Sequence, residues 1–173
     1  MSTASRIAPP DGGISVFDHH PDLWAAFNRF YGHLWSTGSL DQATKEAARM
    51  RNARVTGCPI CRNLRFADAL EAGLTENYVE QIVDGYESSD LPDRWKAAVR
   101  WTDAVIGYPA TDAPAVRDGV TSAFTPAEFV ELTLTAAIAQ GFSKSVVAWG
   151  GARDMPTVIV PTPTPDGTVT DGT

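Results

Sequence analysis

The sequence predicts an all-α protein. Apolar residues recur at three- and four-residue spacing along most of the chain, helix-start signatures punctuate it, and alternating β-branched runs are nearly absent. A first helix is expected from Pro21 to about Trp35, with Leu23, Phe27, Phe30 and Leu34 as its apolar stripe. Ser39 and Gln42 have the spacing of a capping box, which opens a second helix to about Arg54. A third is expected from near Cys58 to Glu71, stopping at Ala72-Gly73. Thr75 is expected to cap a fourth that buries Tyr78, Val79, Ile82 and Val83. Asp90-Leu91-Pro92 starts a fifth, carrying Trp95, Val99, Trp101 and Val105 and ending before Pro109. A sixth spans Ala113 to Phe124. Thr125-Pro126-Ala127-Glu128 combines a capping box with proline at the first helical position and launches a long seventh helix, with Gly141 expected as a close-packing point.

This gives a single domain of six to seven helices over residues 20–152. A flexible segment is expected over residues 1–19, and an extended or disordered tail over 153–173, rich in Thr, Pro, Gly and Asp. Thr157-Val158-Ile159-Val160 is the one β-like run and is expected to be too isolated to build a sheet.

The composition suits one globular core: 173 residues, 43% hydrophobic and 20% charged. A net charge of −7 argues against nucleic acid or an anionic membrane as partner, because both select basic surfaces. The N-terminal residues carry no apolar stretch of signal-peptide type, so a cytoplasmic location is expected. Glu131, Gln140 and Lys144 interrupt the apolar segment from Phe129 to Trp149, which therefore reads as a core helix rather than a membrane span.

The two cysteines stand three apart, as Cys58-Pro59-Ile60-Cys61. That spacing lets one thiol attack a substrate while the other resolves the product. On a helix opening at Cys58, both cysteines and Arg65 would share one face, and the helix start would favour a thiolate. Two other readings stay open. The pair is half of a zinc site, for which no second Cys or Cys-His pair completes the ligands, or it is two inert core thiols. His19, His20 and His33, the only histidines, lack ligand spacing to the cysteines; His19-His20 are expected in a loop.

Glu46 lies at the edge of the apolar stripe of the second helix formed by Leu40, Ala43, Ala47 and Met50, while Lys45 and Arg49 are expected to face water. A carboxylate at such an edge is a candidate proton carrier, and the competing reading is a surface residue pairing with Arg49 in solvent.

Glu46, eleven residues, Cys58-x-x-Cys61, three residues and Arg65 together resemble the alkylhydroperoxidase D-like (AhpD-like) branch of the carboxymuconolactone decarboxylase superfamily, whose pattern ends in histidine. Ala69 to Thr75, and Phe124 to Thr133 leading to Gly141-Phe142, are similar to its other helix signatures, and the likeness covers residues 20 to 150. The resemblance implies an AhpD-like helical fold and a homo-oligomer, a trimer or hexamer. It further implies reduction of a small organic hydroperoxide, or exchange with a disulfide substrate, using a thiol reductant or a partner reductase. Cys61 would attack the peroxide, Cys58 would resolve, and Glu46 would assist deprotonation directly or through water. That cycle needs no metal and no organic cofactor.

Arg65 is the departure, because arginine stays protonated and cannot relay a proton as histidine does. Its expected roles are to favour a thiolate by charge or to clamp Glu46 in a bidentate pair. A carboxymuconolactone decarboxylase-type lyase and a non-catalytic redox-sensing oligomer are the two competing functions. Trp24, Trp35, Trp95, Trp101 and Trp149 are expected in cores or subunit contacts, some of them lining an apolar pocket for an organic hydroperoxide.

Overall fold

The computed structural model describes residues 6–108, 113–150 and 155–166, and these fold as an all-α protein. Its helices are α1 (Pro21–Ser36), α2 (Gln42–Thr56), α3 (Ala67–Glu71), α4 (Glu76–Gln81), α5 (Asp93–Ile106), α6 (Ala113–Val120) and α7 (Pro126–Trp149). Two short strands, β1 (Leu64–Phe66) and β2 (Val158–Val160), pair in parallel.

α7 begins as its signature requires. The Thr125 hydroxyl accepts from Glu128 N, the Glu128 carboxylate accepts from Thr125 N, and Pro126 occupies the first turn. None of the described helices is long and apolar enough to cross a membrane. α2 is capped differently from expectation. Asp41, not Ser39, accepts from Thr44 N at 2.8 Å, while the Ser39 and Leu40 amides donate to Glu131 from α7. Thr75 stands at the N-cap position of α4 without a side-chain capping bond. α5 ends at Ile106 with Gly107 in a left-handed conformation; Pro109 lies outside the described residues.

α2 is the centre of the bundle. Every residue from Ala43 to Ala53 is buried, although the helix carries four charged side chains over that stretch. On one side Ala43, Ala47 and Met50 pack with Leu74, Val79, Ile82, Trp95 and Val99; on another, Leu40 and Ala48 pack with Trp101, Phe124 and Leu132. The expectation that Lys45 and Arg49 face water fails for this reason: no face of α2 is left to solvent over these residues. Lys45 instead donates to the Leu34 and Trp35 carbonyls at 3.0 and 3.2 Å, satisfying the end of α1, and forms an ion pair with Glu131. Arg51 reaches Asp103 on α5 at 2.6 Å and Asp84 at 2.9 Å.

The third expected helix does not form as a single element. Gly57 takes a left-handed conformation, its N–H donates to Arg54 O and that of Cys58 to Ala53 O, which closes α2 in a Schellman motif. After a turn, the backbone extends into β1, and only Ala67–Glu71 resumes a helix as α3. The run at Val158 finds a partner after all: Leu64 aligns with Val158 and Phe66 with Val160. Beyond β2, the Thr162 hydroxyl accepts from Asp68 N at the start of α3. The chain then crosses α1 at Gly32, where an added Cβ would collide with the Thr164 backbone. Gly141 is not the close-packing glycine; a Cβ there would meet open space.

Gly32→Ala is therefore expected to dislodge the segment after β2 and to lower stability by about 1–3 kcal/mol, the usual cost of overpacking. Limited proteolysis should show faster cleavage beyond Val160 than in the parent protein. An unchanged cleavage pattern and melting temperature would refute the crossing.

Candidate active site

Cys58 and Cys61 form a disulfide with a Cα–Cα distance of 5.3 Å. The cysteines follow the C-terminal end of α2 rather than opening a helix, so the dipole of α2 presents its negative end to them. The expected help from a helix start is absent at this position. A single turn holds the pair: Arg62 N donates to Cys58 O at 3.2 Å, and Leu64 N to Ile60 O at 3.2 Å. Both cysteines are buried, Cys58 completely and Cys61 at 6% exposure, among Ala53 and Val146 with Ile60 and Phe142 against them. Cys61 N donates to Cys58 Sγ at 3.2 Å, and the Ser143 hydroxyl donates to Cys61 Sγ at 3.3 Å. Asn52 Nδ2 in turn donates to Ser143 Oγ at 3.0 Å.

Glu46 lies under this turn and is fully buried. Its clamp is Arg49, one helical turn along, and not Arg65. Arg49 Nε and Nη2 meet the two carboxylate oxygens at 2.6 and 2.5 Å. The same guanidinium donates to the Cys61 carbonyl at 2.6 Å and the Leu64 carbonyl at 2.7 Å, and it sits 4.8 Å from the centre of the Phe66 ring. Burial works against the Arg49 charge, but the adjacent Glu46 carboxylate outweighs it and holds the guanidinium above its ordinary range.

Arg65 leaves the face expected for it because it stands in β1. Its Nε and Nη2 bind Glu76 at 2.7 and 3.0 Å, and Nη1 donates to the Arg62 and Leu64 carbonyls. It braces the backbone around the turn and ties β1 to α4. His33 is on the exposed side of α1, and His19 contacts the Ala8 carbonyl from a short 3-10 turn.

Three participants were not singled out from the sequence, Asn52, Ser143 and Tyr31, and Arg49 was expected only as a solvent-exposed partner of Glu46. The Glu46–Arg49 spacing was a usable signal, whereas Ser143 is marked by nothing local. Tyr31 on α1 stacks on Phe27, with ring centres 5.4 Å apart, and meets Phe142 at a tilt, 6.3 Å away. Burial pushes its phenol up to about 12; the nearby Arg49 charge opposes that rise and Glu46 adds to it.

Beyond Phe142 opens an apolar cavity of about 630 Å³ between α1, the 3-10 turn and α7. Phe17, Trp24, Phe27, Ile138 and Trp149 line it, with His19, His20 and Ser145 as its polar groups. Phe142 thus has the cavity on one side and the cysteine pair on the other.

Comparison with known proteins gives three findings. The pattern of the carboxymuconolactone decarboxylase family matches residues 21–111. Uncharacterized proteins from two strains of Mycobacterium tuberculosis are each 42% identical over 124 residues, which is 70% of this chain. The chain spans 43% of the length of those relatives. A crystal structure of an Agrobacterium tumefaciens protein of unknown function, described as a candidate antioxidant-defence protein AhpD, superposes with a TM-score of 0.69. It is 19% identical, and the match covers 84% of this chain and 97% of that one, which is a likeness of fold.

Arg49→Met is expected to cost about 3–5 kcal/mol, because it strands the buried Glu46 carboxylate. The double variant Arg49→Met with Glu46→Leu should recover much of that loss in thermal or denaturant unfolding. If the single variant proves no less stable than the double, the two residues are not the coupled pair described.

Proposed function

The chain belongs to the carboxymuconolactone decarboxylase family, and on that premise we propose that it is a thiol-dependent hydroperoxide reductase of the AhpD-like kind. The observation carrying this reading is the Cys58–Cys61 disulfide, closed over a buried polar support and backed through Phe142 by an apolar cavity. The less buried Cys61 attacks and Cys58 resolves.

In the reduced protein, the Cys61 thiolate attacks one peroxide oxygen. The O–O bond breaks, an alcohol leaves with a proton, and Cys61 becomes a sulfenic acid. Cys58 then attacks that sulfur, hydroxide leaves as water, and the disulfide forms. The dithiol has supplied two electrons, and a thiol reductant or partner reductase restores it. Glu46 contributes mainly through Arg49: its carboxylate fixes the guanidinium that holds the Cys61 carbonyl. Arg65 acts as a fixed charge bracing the turn, in place of the family's relay histidine. The cavity lining suits the organic part of a hydroperoxide better than hydrogen peroxide.

Exchange with a disulfide substrate uses the same sulfurs. A lyase reading, by contrast, has no need of them. Following peroxide consumption with a thiol reductant separates these functions. Wild type should turn over, Cys61→Ser should lose essentially all activity, and Cys58→Ser should stop after a single turnover with Cys61 held as sulfenic acid. Equal activity in all three proteins would eliminate the thiol mechanism.

Assembly of several copies belongs to the same proposal. Val130 and Leu134 lie on the outer side of α7 at 59% and 43% exposure, and Leu23 on α1 at 68%. Light scattering should give a mass at a multiple of 18.6 kDa; a monomer mass at micromolar concentration would count against assembly.

A further inference from the structure

We propose that Ser143 and Asn52 are positioning residues that single out Cys61 as the nucleophile by stabilising its thiolate, an inference that rests on the thiol chemistry proposed above. The hydroxyl of Ser143 behaves unlike those of its neighbours on α7. Thr133, Thr135 and Ser145 each donate to the carbonyl four residues earlier, at 2.7, 2.9 and 3.0 Å, the default for a hydroxyl inside a helix. Ser143 turns its proton instead to Cys61 Sγ at 3.3 Å. It is free to do so because Asn52 Nδ2 fills its acceptor side at 3.0 Å, which commits the hydroxyl hydrogen to the sulfur.

Both residues are buried, Asn52 at 0% and Ser143 at 2% exposure, and a buried hydrogen bond to a charged sulfur is stronger than one between neutral groups. Asn52 also has a spare group. Its Oδ1 is buried and has no hydrogen-bond partner among the described residues. That acceptor gives the chain a second direction. With the amide turned over, the Ser143 hydroxyl donates to Asn52 Oδ1 and its oxygen receives the S–H of a protonated Cys61. One chain of three groups therefore serves both protonation states of the same thiol. Cys58 has a backbone donor, the Cys61 amide, but no side-chain donor among the contacts described.

Other titratable and charged groups near Cys61 are Arg49 and Glu46 from α2, paired with each other, Arg62 beside it in the turn, Arg65 from β1, and Tyr31 from α1 against Phe142. None of these distinguishes one sulfur from the other by a hydrogen bond to it, whereas Ser143 does.

The test uses the reduced full chain carrying Cys58→Ser, so that Cys61 is the one thiol, and follows its alkylation by iodoacetamide against pH by mass spectrometry. Ser143→Ala should raise the midpoint by about one pH unit and slow alkylation near neutrality about tenfold. Asn52→Ala should shift the midpoint the same way, and Ser143→Thr, which keeps the hydroxyl, should stay near the parent value. An unmoved midpoint in Ser143→Ala, or a shift as large in Ser143→Thr, overturns the inference. The assay contains no peroxide, so the two proposals fail separately. A shifted midpoint in a protein without hydroperoxide turnover upholds the positioning role and removes only the peroxidase reading. Normal turnover with an unmoved midpoint does the reverse.

Discussion

The ion pair between Glu46 and Arg49 is the interaction around which the cysteine-bearing end of the molecule is built. Two charges taken out of water are expensive, and a pair in the interior is tolerable only when its remaining donors and acceptors are filled. Arg49 meets that condition by spending its other N–H groups on the carbonyls of Cys61 and Leu64. The backbone of an otherwise irregular turn is thereby fixed to the central helix, and the sulfur positions follow from it. Glu46 keeps the guanidinium in place, and the Phe66 ring closes the stack from β1.

The same solution recurs along α2. Lys45 anchors the end of α1 and reaches α7, Arg49 anchors the cysteine turn and β1, and Arg51 anchors α5. A helix crowded on all sides cannot use long apolar side chains everywhere, and alanines at positions 43, 47, 48 and 53 let its neighbours approach closely. The charged residues between those alanines extend outward and meet groups that the surrounding elements would otherwise leave unpaired. Polar composition and deep burial are reconciled in this way.

That reconciliation also explains what could be read from the sequence. Six helices were legible, and α7 most clearly, because its start signature is local and Thr125, Pro126 and Glu128 need nothing from elsewhere in the chain. The cysteine pair and Glu46 were legible from spacing. The burial of Lys45 and Arg49 was not, since amphipathic reasoning assigns charge to solvent and cannot see that a helix is surrounded. The break between Cys58 and Ala67 was hidden for a related reason: Gly57 and the β1–β2 pairing end one helix and delay the next, and the partner strand is some ninety residues away. Ser143 gained its significance only when α7 was laid beside the turn.

The parallel pairing of β1 with β2 bears on the order of assembly during synthesis. The most extensive helix packing, of α2 on α7, joins segments far apart in the sequence, and such long-range pairings form slowly. β2, the partner of the strand that flanks the cysteine turn, comes after every helix of the bundle. A nascent chain can therefore pack α2, α5 and α7 while Leu64 to Phe66 still lack a neighbour. Until Val160 has been translated, the strand that follows the cysteine turn keeps an unpaired edge on which an extended segment of another chain can pair.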